Sequence, residues 1–285
     1  MARERYLIVG LAKTGTTAVA MTVRNTLRVQ GFCMEPRDLA TIEAETDERL
    51  VIKILFDHWL DRVEELQKLL RDESGPSATI VIVRDPRDEA VSRLHYLAYN
   101  YFSTRPTTED DRAAWLDIFS QKEAAPETVG LIDMEKQLMR RFGSGFLVGR
   151  HVYESFMQFI DDLLRTRADA AHLLRYEDFV GNAIPAGPLQ ALLSGSRNVG
   201  PWFRRVHRSG SSGEWQHFLT DHDLAVINGL CEPFLQRFDY PLMRTSPAQR
   251  PSQTTGSGYV DKLIREARSS YFESQLSQVF QQATE

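Results

Sequence analysis

Four short apolar runs, set apart by helix-patterned stretches, predict an α/β protein with a parallel sheet between two layers of helices. The runs are Tyr6–Gly10, Leu50–Leu55, Thr79–Val83 and His172–Arg175. They are continuous rather than alternating, as in strands buried on both faces. Strands that alternate with helices need crossover connections, which makes the sheet parallel. A Gly/Thr-rich loop between the first strand and the first helix is the third sign, because ligands of such sheets bind at the carboxyl ends of the strands.

The elements follow in order. Tyr6-Leu-Ile-Val-Gly10 is a buried strand ending in glycine, and Lys13-Thr-Gly-Thr-Thr17 is the loop. Ala18 to Val29 carries Val19, Val23 and Leu27 at helical spacing. Leu50–Leu55 is the next strand, Trp59–Leu70 an amphipathic helix, and Thr79–Val83 another strand. Asp88 to Tyr101 is helical, with Val91, Leu94 and Tyr99 on one side. Over residues 99–145 the pattern loosens, with the acidic Thr107-Thr-Glu-Asp-Asp111 and Ala124-Ala-Pro126. This reads as a helical insertion or lid and the place for acceptor selectivity. Its Tyr99, Tyr101, Phe102, Trp115 and Phe119 either wall an acceptor or pack the lid. The main domain is expected over 1–243, and the Ser/Thr/Pro/Gln/Gly-rich stretch 244–258 reads as a linker. In the expected C-terminal helix 259–285, Val260, Leu263, Ile264, Ala267 and Tyr271 share one face. That face must dock on its own core or on a partner chain, so a homodimer through this helix is one expectation.

Composition narrows the function. The 285 residues carry 34 Lys and Arg against 39 Asp and Glu, a formal charge of −5, which argues against nucleic acid or anionic membranes as partners. No uncharged apolar run approaches the roughly 20 residues that cross a bilayer. Arg3 and Arg5, Tyr6–Ala12 and Ala18-Val-Ala20 imitate a signal peptide, but Lys13 and the threonines interrupt it. A cytoplasmic location is expected. Cys33 and Cys231 stand far apart between apolar neighbours and read as buried thiols, not as a disulfide framework or metal cluster.

Gly10-Leu-Ala-Lys13-Thr14-Gly15-Thr16-Thr17 brings together a glycine turn, two hydroxyls and the open end of a helix, a combination that holds a phosphate. The Gly10-to-Gly15 spacing opens like a P-loop, giving a P-loop-like fold. That motif, however, requires lysine directly after the second glycine, where this chain has Thr16.

This loop resembles the phosphosulfate-binding loop of sulfotransferases that use 3′-phosphoadenosine 5′-phosphosulfate (PAPS). Three further segments resemble the family in the same order. Ile80-Val-Ile-Val-Arg84-Asp-Pro-Arg-Asp-Glu-Ala-Val-Ser92 is similar to its 3′-phosphate segment, an apolar strand followed by Arg84 and, at helical distance, Ser92. Arg175-Tyr176-Glu177-Asp178-Phe179 is similar to a segment whose tyrosine lies near the adenine. Arg208-Ser209-Gly210-Ser-Ser-Gly213-Glu-Trp215 is similar to the segment that closes over the 3′-phosphate, with Ser209 in place of the family lysine. The resemblance implies PAPS as donor, adenosine 3′,5′-bisphosphate (PAP) as product, and a hydroxyl of a small metabolite or carbohydrate as acceptor. Arg84 suits a bidentate phosphate grip, and Ser92 can donate from the helix.

In-line sulfuryl transfer needs a cation on the bridging oxygen, a base for the acceptor proton and strict alignment; this scheme requires no metal. The resemblance gives Lys13 the cationic role, with Lys53 on the second apolar strand run beside it. Relatives that act on small aromatic alcohols carry a histidine two residues after that strand lysine, where this chain has Leu55. Three bases stay open: His58, His207, and Glu35, whose Gly31-Phe-Cys-Met-Glu35-Pro36 resembles a segment of bacterial trehalose-type carbohydrate sulfotransferases. His95 reads as packing. Two other readings compete. Arg84-Asp85 after an apolar strand could imitate the metal-binding end of a P-loop kinase strand, and loss of the usual histidine could leave a non-catalytic PAP-binding protein.

Overall fold

The computed structural model describes residues 3–71, 75–197, 212–246 and 256–282. In chain order the elements are β1 (Glu4–Gly10), α1 (Thr16–Leu27), β2 (Gly31–Met34), α2 (Leu39–Glu43), β3 (Arg49–Leu55), a 3-10 helix (Phe56–Arg62) and α3 (Val63–Arg71). Then come β4 (Ala78–Val83), α4 (Pro86–Ser103), α5 (Glu109–Ala124), α6 (Leu131–Phe142), α7 (Arg150–Thr166), β5 (Ala171–Arg175), α8 (Tyr176–Val180) and α9 (Pro188–Leu192). A short 3-10 turn (Glu214–His217), α10 (Asp221–Arg237) and α11 (Ser257–Gln282) complete the series. The described chain divides into two compact units.

The first unit draws on Met1–Asp85, Gly149–Ser212 and Pro233–Tyr240 and contains the sheet. Its five parallel strands run in the order β2-β3-β1-β4-β5, flanked by helices as expected. β1 lies at the centre, with Gly10 level with Leu55 on β3 and Ile82 on β4. Ile8, Val51, Ile80 and Ile82 pack against Val19, Ala20 and Val23 of α1 on one face. Leu7, Val9, Ile52, Ile54 and Val81 alternate with them and are buried as well. Burial on both faces is why these strands read as unbroken apolar runs.

Gly31–Met34 is a strand that its sequence does not announce as an apolar run. It lies at the sheet edge, with Cys33 buried and Met34 exposed, so burial alternates over only four residues. The expected helix Trp59–Leu70 divides in two. Its first part is the 3-10 helix, in which the Trp59 indole N–H donates to the Pro36 carbonyl at 2.8 Å, and α3 follows.

The second unit comprises Pro86–Val148, Gly213–Glu232 and Pro241–Glu285, and it is helical. Tyr99, Phe102, Trp115 and Phe119, expected as acceptor walls or lid packing, are buried in this unit. Tyr101, Phe102, Trp115 and Phe142 form one ring cluster, with Trp115 and Phe142 centroids 4.6 Å apart. The His95 ring packs among Phe119, Phe218 and Tyr259. Val260, Leu263, Ile264 and Ala267 of α11 are buried, and that helix packs on α4 and α5 of its own chain. Arg112–Asp261 and Arg268–Glu109 ion pairs hold it there. Among the described residues no helix is long and apolar enough to cross a membrane.

Ile8 is fully buried on the central strand, in the cluster that joins the sheet to α1. Ile8→Ala is expected to lower stability by about 2–5 kcal/mol, read from the urea midpoint. A loss below about 1 kcal/mol would contradict close packing there.

Candidate active site

β1 carries the chain to the middle of the sheet's carboxyl edge and releases it at Gly10. The turn that follows is tight. The Thr14 N–H and hydroxyl both donate to the Leu11 carbonyl, at 3.3 and 2.7 Å. Lys13 lies in the left-handed region at φ 71°, and so does Gly15 at φ 92°. α1 starts at Thr16, and Thr16 and Thr17 are buried at its first two positions. Its first turn holds no acidic residue, and among the described residues no side chain caps it. Backbone N–H groups and the positive end of the helix dipole therefore converge beside Lys13. A phosphate or sulfonate suits that position.

Gly15 is required twice over. Its φ favours glycine, and a Cβ at this position would run into the Tyr176 ring. Tyr176 opens α8 directly after β5. The Arg84 guanidinium lies over the same ring, 4.4 Å from its centroid, and donates from Nη1 to the Lys13 carbonyl at 2.9 Å. Arg84 is buried, and its Nε has no hydrogen-bond partner among the described residues. Lys13, Gly15, Arg84 and Tyr176, from three segments of sequence, thus share one site.

Glu177, next to Tyr176, was not singled out by the sequence. One of its carboxylate oxygens accepts the Asp85 N–H at 3.1 Å and the other accepts the Tyr240 hydroxyl at 2.8 Å. Burial first, then the Glu177 charge, push the Tyr240 phenol well above its usual pKa. Glu177 thereby ties the segment after β4, which carries Arg84, to α8, which carries Tyr176. Asp85 has its backbone N–H in this network, a use for the segment different from the metal ligand of the kinase reading.

Glu35, Lys53 and His58 gather at the carboxyl ends of β2 and β3. Lys53 stands level with Met34 and Ile8 and is buried. The Glu35 N–H donates to the Lys53 carbonyl at 2.8 Å, and the Lys53 ammonium donates to the Glu35 carboxylate. Glu35 itself is at φ 54° and 31% exposed, so its carboxylate spans from the buried lysine to solvent. Burial pulls the Lys53 ammonium below its ordinary pKa, and Glu35 opposes that pull. His58, in the 3-10 helix after β3, is half-buried. Its imidazole pKa lies below 6.5, first through burial and then through Arg37, while Glu35 and Asp57 act the other way. The His58 Nδ1 is buried without a hydrogen-bond partner among the described residues.

The other expected site residues belong to the second unit or lie outside the described residues. Ser92 is half-buried in α4, within the second unit. His207, Arg208, Ser209 and Gly210 lie outside the described residues. The end of that segment shows what sequence reading missed. Asp88 accepts the N–H groups of Gly213 and Trp215 at 2.6 and 3.1 Å. Arg87, fully buried, lies 4.4 Å from the Trp215 ring centroid and donates to the Pro241 carbonyl. Charged residues inside an otherwise plausible helix start were the only signal available. Among the described residues no group of three His, Cys, Asp or Glu is placed to hold a metal ion.

Gly15→Ala carries both a backbone and a steric penalty, and a double-mutant cycle separates them. In the native background the substitution should cost more than the roughly 1–2 kcal/mol of a left-handed alanine. With Tyr176→Ala already in place only that backbone cost should remain, as measured by urea unfolding. Equal costs in the two backgrounds would contradict the close approach of Tyr176.

A crystal structure of the mouse sulfotransferase SULT7A1 complexed with PAP is similar at 16% identity, over 83% of this chain and 86% of that one, with a TM-score of 0.46. No curated protein matches. The model of the sulfotransferase domain family matches residues 3–185, well over half of the chain, including β1, the loop, β3, Arg84 and Tyr176. The chain therefore belongs to the sulfotransferase domain family.

Proposed function

We propose that this enzyme transfers the sulfuryl group of PAPS to a hydroxyl of a small metabolite or carbohydrate, at the carboxyl ends of β1, β2 and β3. The observation that carries this reading is the meeting of an uncapped helix start at Lys13–Thr17 with the stacked, incompletely bonded Arg84. A donor with a phosphosulfate and a separate phosphate needs two anion grips. The loop amides, Thr16 and Thr17 serve the 5′-phosphosulfate, Arg84 serves the 3′-phosphate, and Tyr176 lies by the adenine. Lys13, together with Lys53, offsets the charge that grows on the leaving phosphate. Membership of the sulfotransferase family sets aside the kinase reading.

For the base, His58 has the better chemistry. Burial and Arg37 favour its neutral imidazole, which can accept the acceptor's proton, whereas Glu35 is paired with Lys53. Glu35 then keeps the buried Lys53 charged and in place.

Two experiments test the reading. PAP should raise the melting temperature, by an amount that grows with the logarithm of its concentration once that exceeds its dissociation constant, and ATP with magnesium should not. The opposite result would overturn it. Labelled-sulfate transfer to a panel of sugars and small alcohols tests the base. His58→Asn should lower kcat by about 10²–10⁴-fold. The native profile should lose rate on its acid side only at a pH below the ordinary histidine range, because protonated imidazole cannot accept a proton and burial favours the neutral ring. A flat acid limb, or a larger loss in Glu35→Gln than in His58→Asn, would transfer the role to Glu35.

A further inference from the structure

We propose that Asp57 is a positioning residue for the donor's 5′ end, holding the loop backbone in the conformation that presents Lys13; this rests on the PAPS reading above. Asp57 is the second residue of the 3-10 helix that follows β3. Its carboxylate accepts the Ala12 N–H at 2.5 Å, across 45 residues of sequence. Ala12 immediately precedes Lys13, whose φ of 71° is rarely adopted by a residue with a long side chain. Such a conformation persists only where the surroundings over-determine it. Here two ties do so. Asp57 holds the amide before Lys13, and Arg84 holds the Lys13 carbonyl at 2.9 Å. A hydrogen bond to an ionised acceptor is among the stronger ones available to a backbone amide.

A carboxylate beside an anion site would otherwise be a disadvantage, because it repels the ligand. Its placement makes sense if it acts on the loop's shape. The ladder fixes Gly10 and Leu55 at the same level, so a side chain two residues beyond Leu55 can reach an amide two residues beyond Gly10. The sheet register itself sets the reach of this tie. Asp57 needs no contact with donor or acceptor to do this work.

The test uses two nucleotides, PAP and adenosine 3′-phosphate, which differ only in the 5′-phosphate. Dissociation constants are measured by calorimetry on the full chain. In Asp57→Ala the preference for PAP over adenosine 3′-phosphate should fall about tenfold or more, while adenosine 3′-phosphate binds within about twofold of the native value. Asp57→Asn retains an acceptor oxygen for Ala12 and should restore most of the preference. A preference that is unchanged or raised in Asp57→Ala would overturn the proposal, since a raise would show that the carboxylate merely repels the anion. Equal losses for both nucleotides, or an Asn variant as impaired as Ala, would overturn it too. Failure of the native protein to favour PAP would instead sink the PAPS reading itself.

Discussion

The turn from Gly10 to Gly15 depends on a backbone that an ordinary loop would not hold. Two of its residues have positive φ, one of them a lysine, and its amides face a helix start that the described protein groups leave uncapped. Such a turn persists because β1 is clamped between β3 and β4 from Tyr6 to Gly10, which leaves the loop little freedom at its root. The remaining restraints come from outside the loop, through Asp57 on one side and Arg84 and Tyr176 on the other. Each comes from the end of another strand of the same sheet, so the position of the anion grip follows from strand order.

The second constraint is the cost of buried charge. Lys53, Arg84 and Asp85 are all buried in the first unit, and desolvation disfavours each of them. Such groups are poor sources of stability, because apolar residues of the same size would serve a core better. Their arrangement fits function more closely. Among the described residues Lys53 is paired with a carboxylate that reaches solvent, and Arg84 is stacked and bonded through Nη1 while its Nε has no partner. A site that must receive a strongly anionic nucleotide benefits from cations held in place before the ligand arrives. The net charge of −5 does not conflict with this, since placement and not the total sets the local field.

Much of the fold was legible in the chain. β1, β3, β4 and β5 coincide with four apolar runs because central strands are buried on both faces, and burial on both faces removes the alternation that would blur them. The edge strand β2 was not legible in that way, since its outer side is partly exposed and it is only four residues long. The helix after β3 hid a 3-10 segment, because apolar spacing reports which face is buried and not how many residues make a turn. Aromatic residues around 99–119 were consistent with either a wall or a core, and packing alone decided for the core.

For the site the division is just as clear. The sequence by itself determined the phosphate-type loop, because that depends on residue type and spacing along one strand–loop–helix unit, and it brought Lys13, Lys53, Arg84 and Tyr176 forward as candidates through segments that resemble one family. Only the tertiary structure paired Glu35 with Lys53, set Arg84 over Tyr176 and against Lys13, and brought Asp57 to Ala12. Those contacts join residues 18 to 92 positions apart in the chain. The sheet order β2-β3-β1-β4-β5 brings them together, and side-chain patterning fixes which face of a strand is buried but not which strand lies next to it.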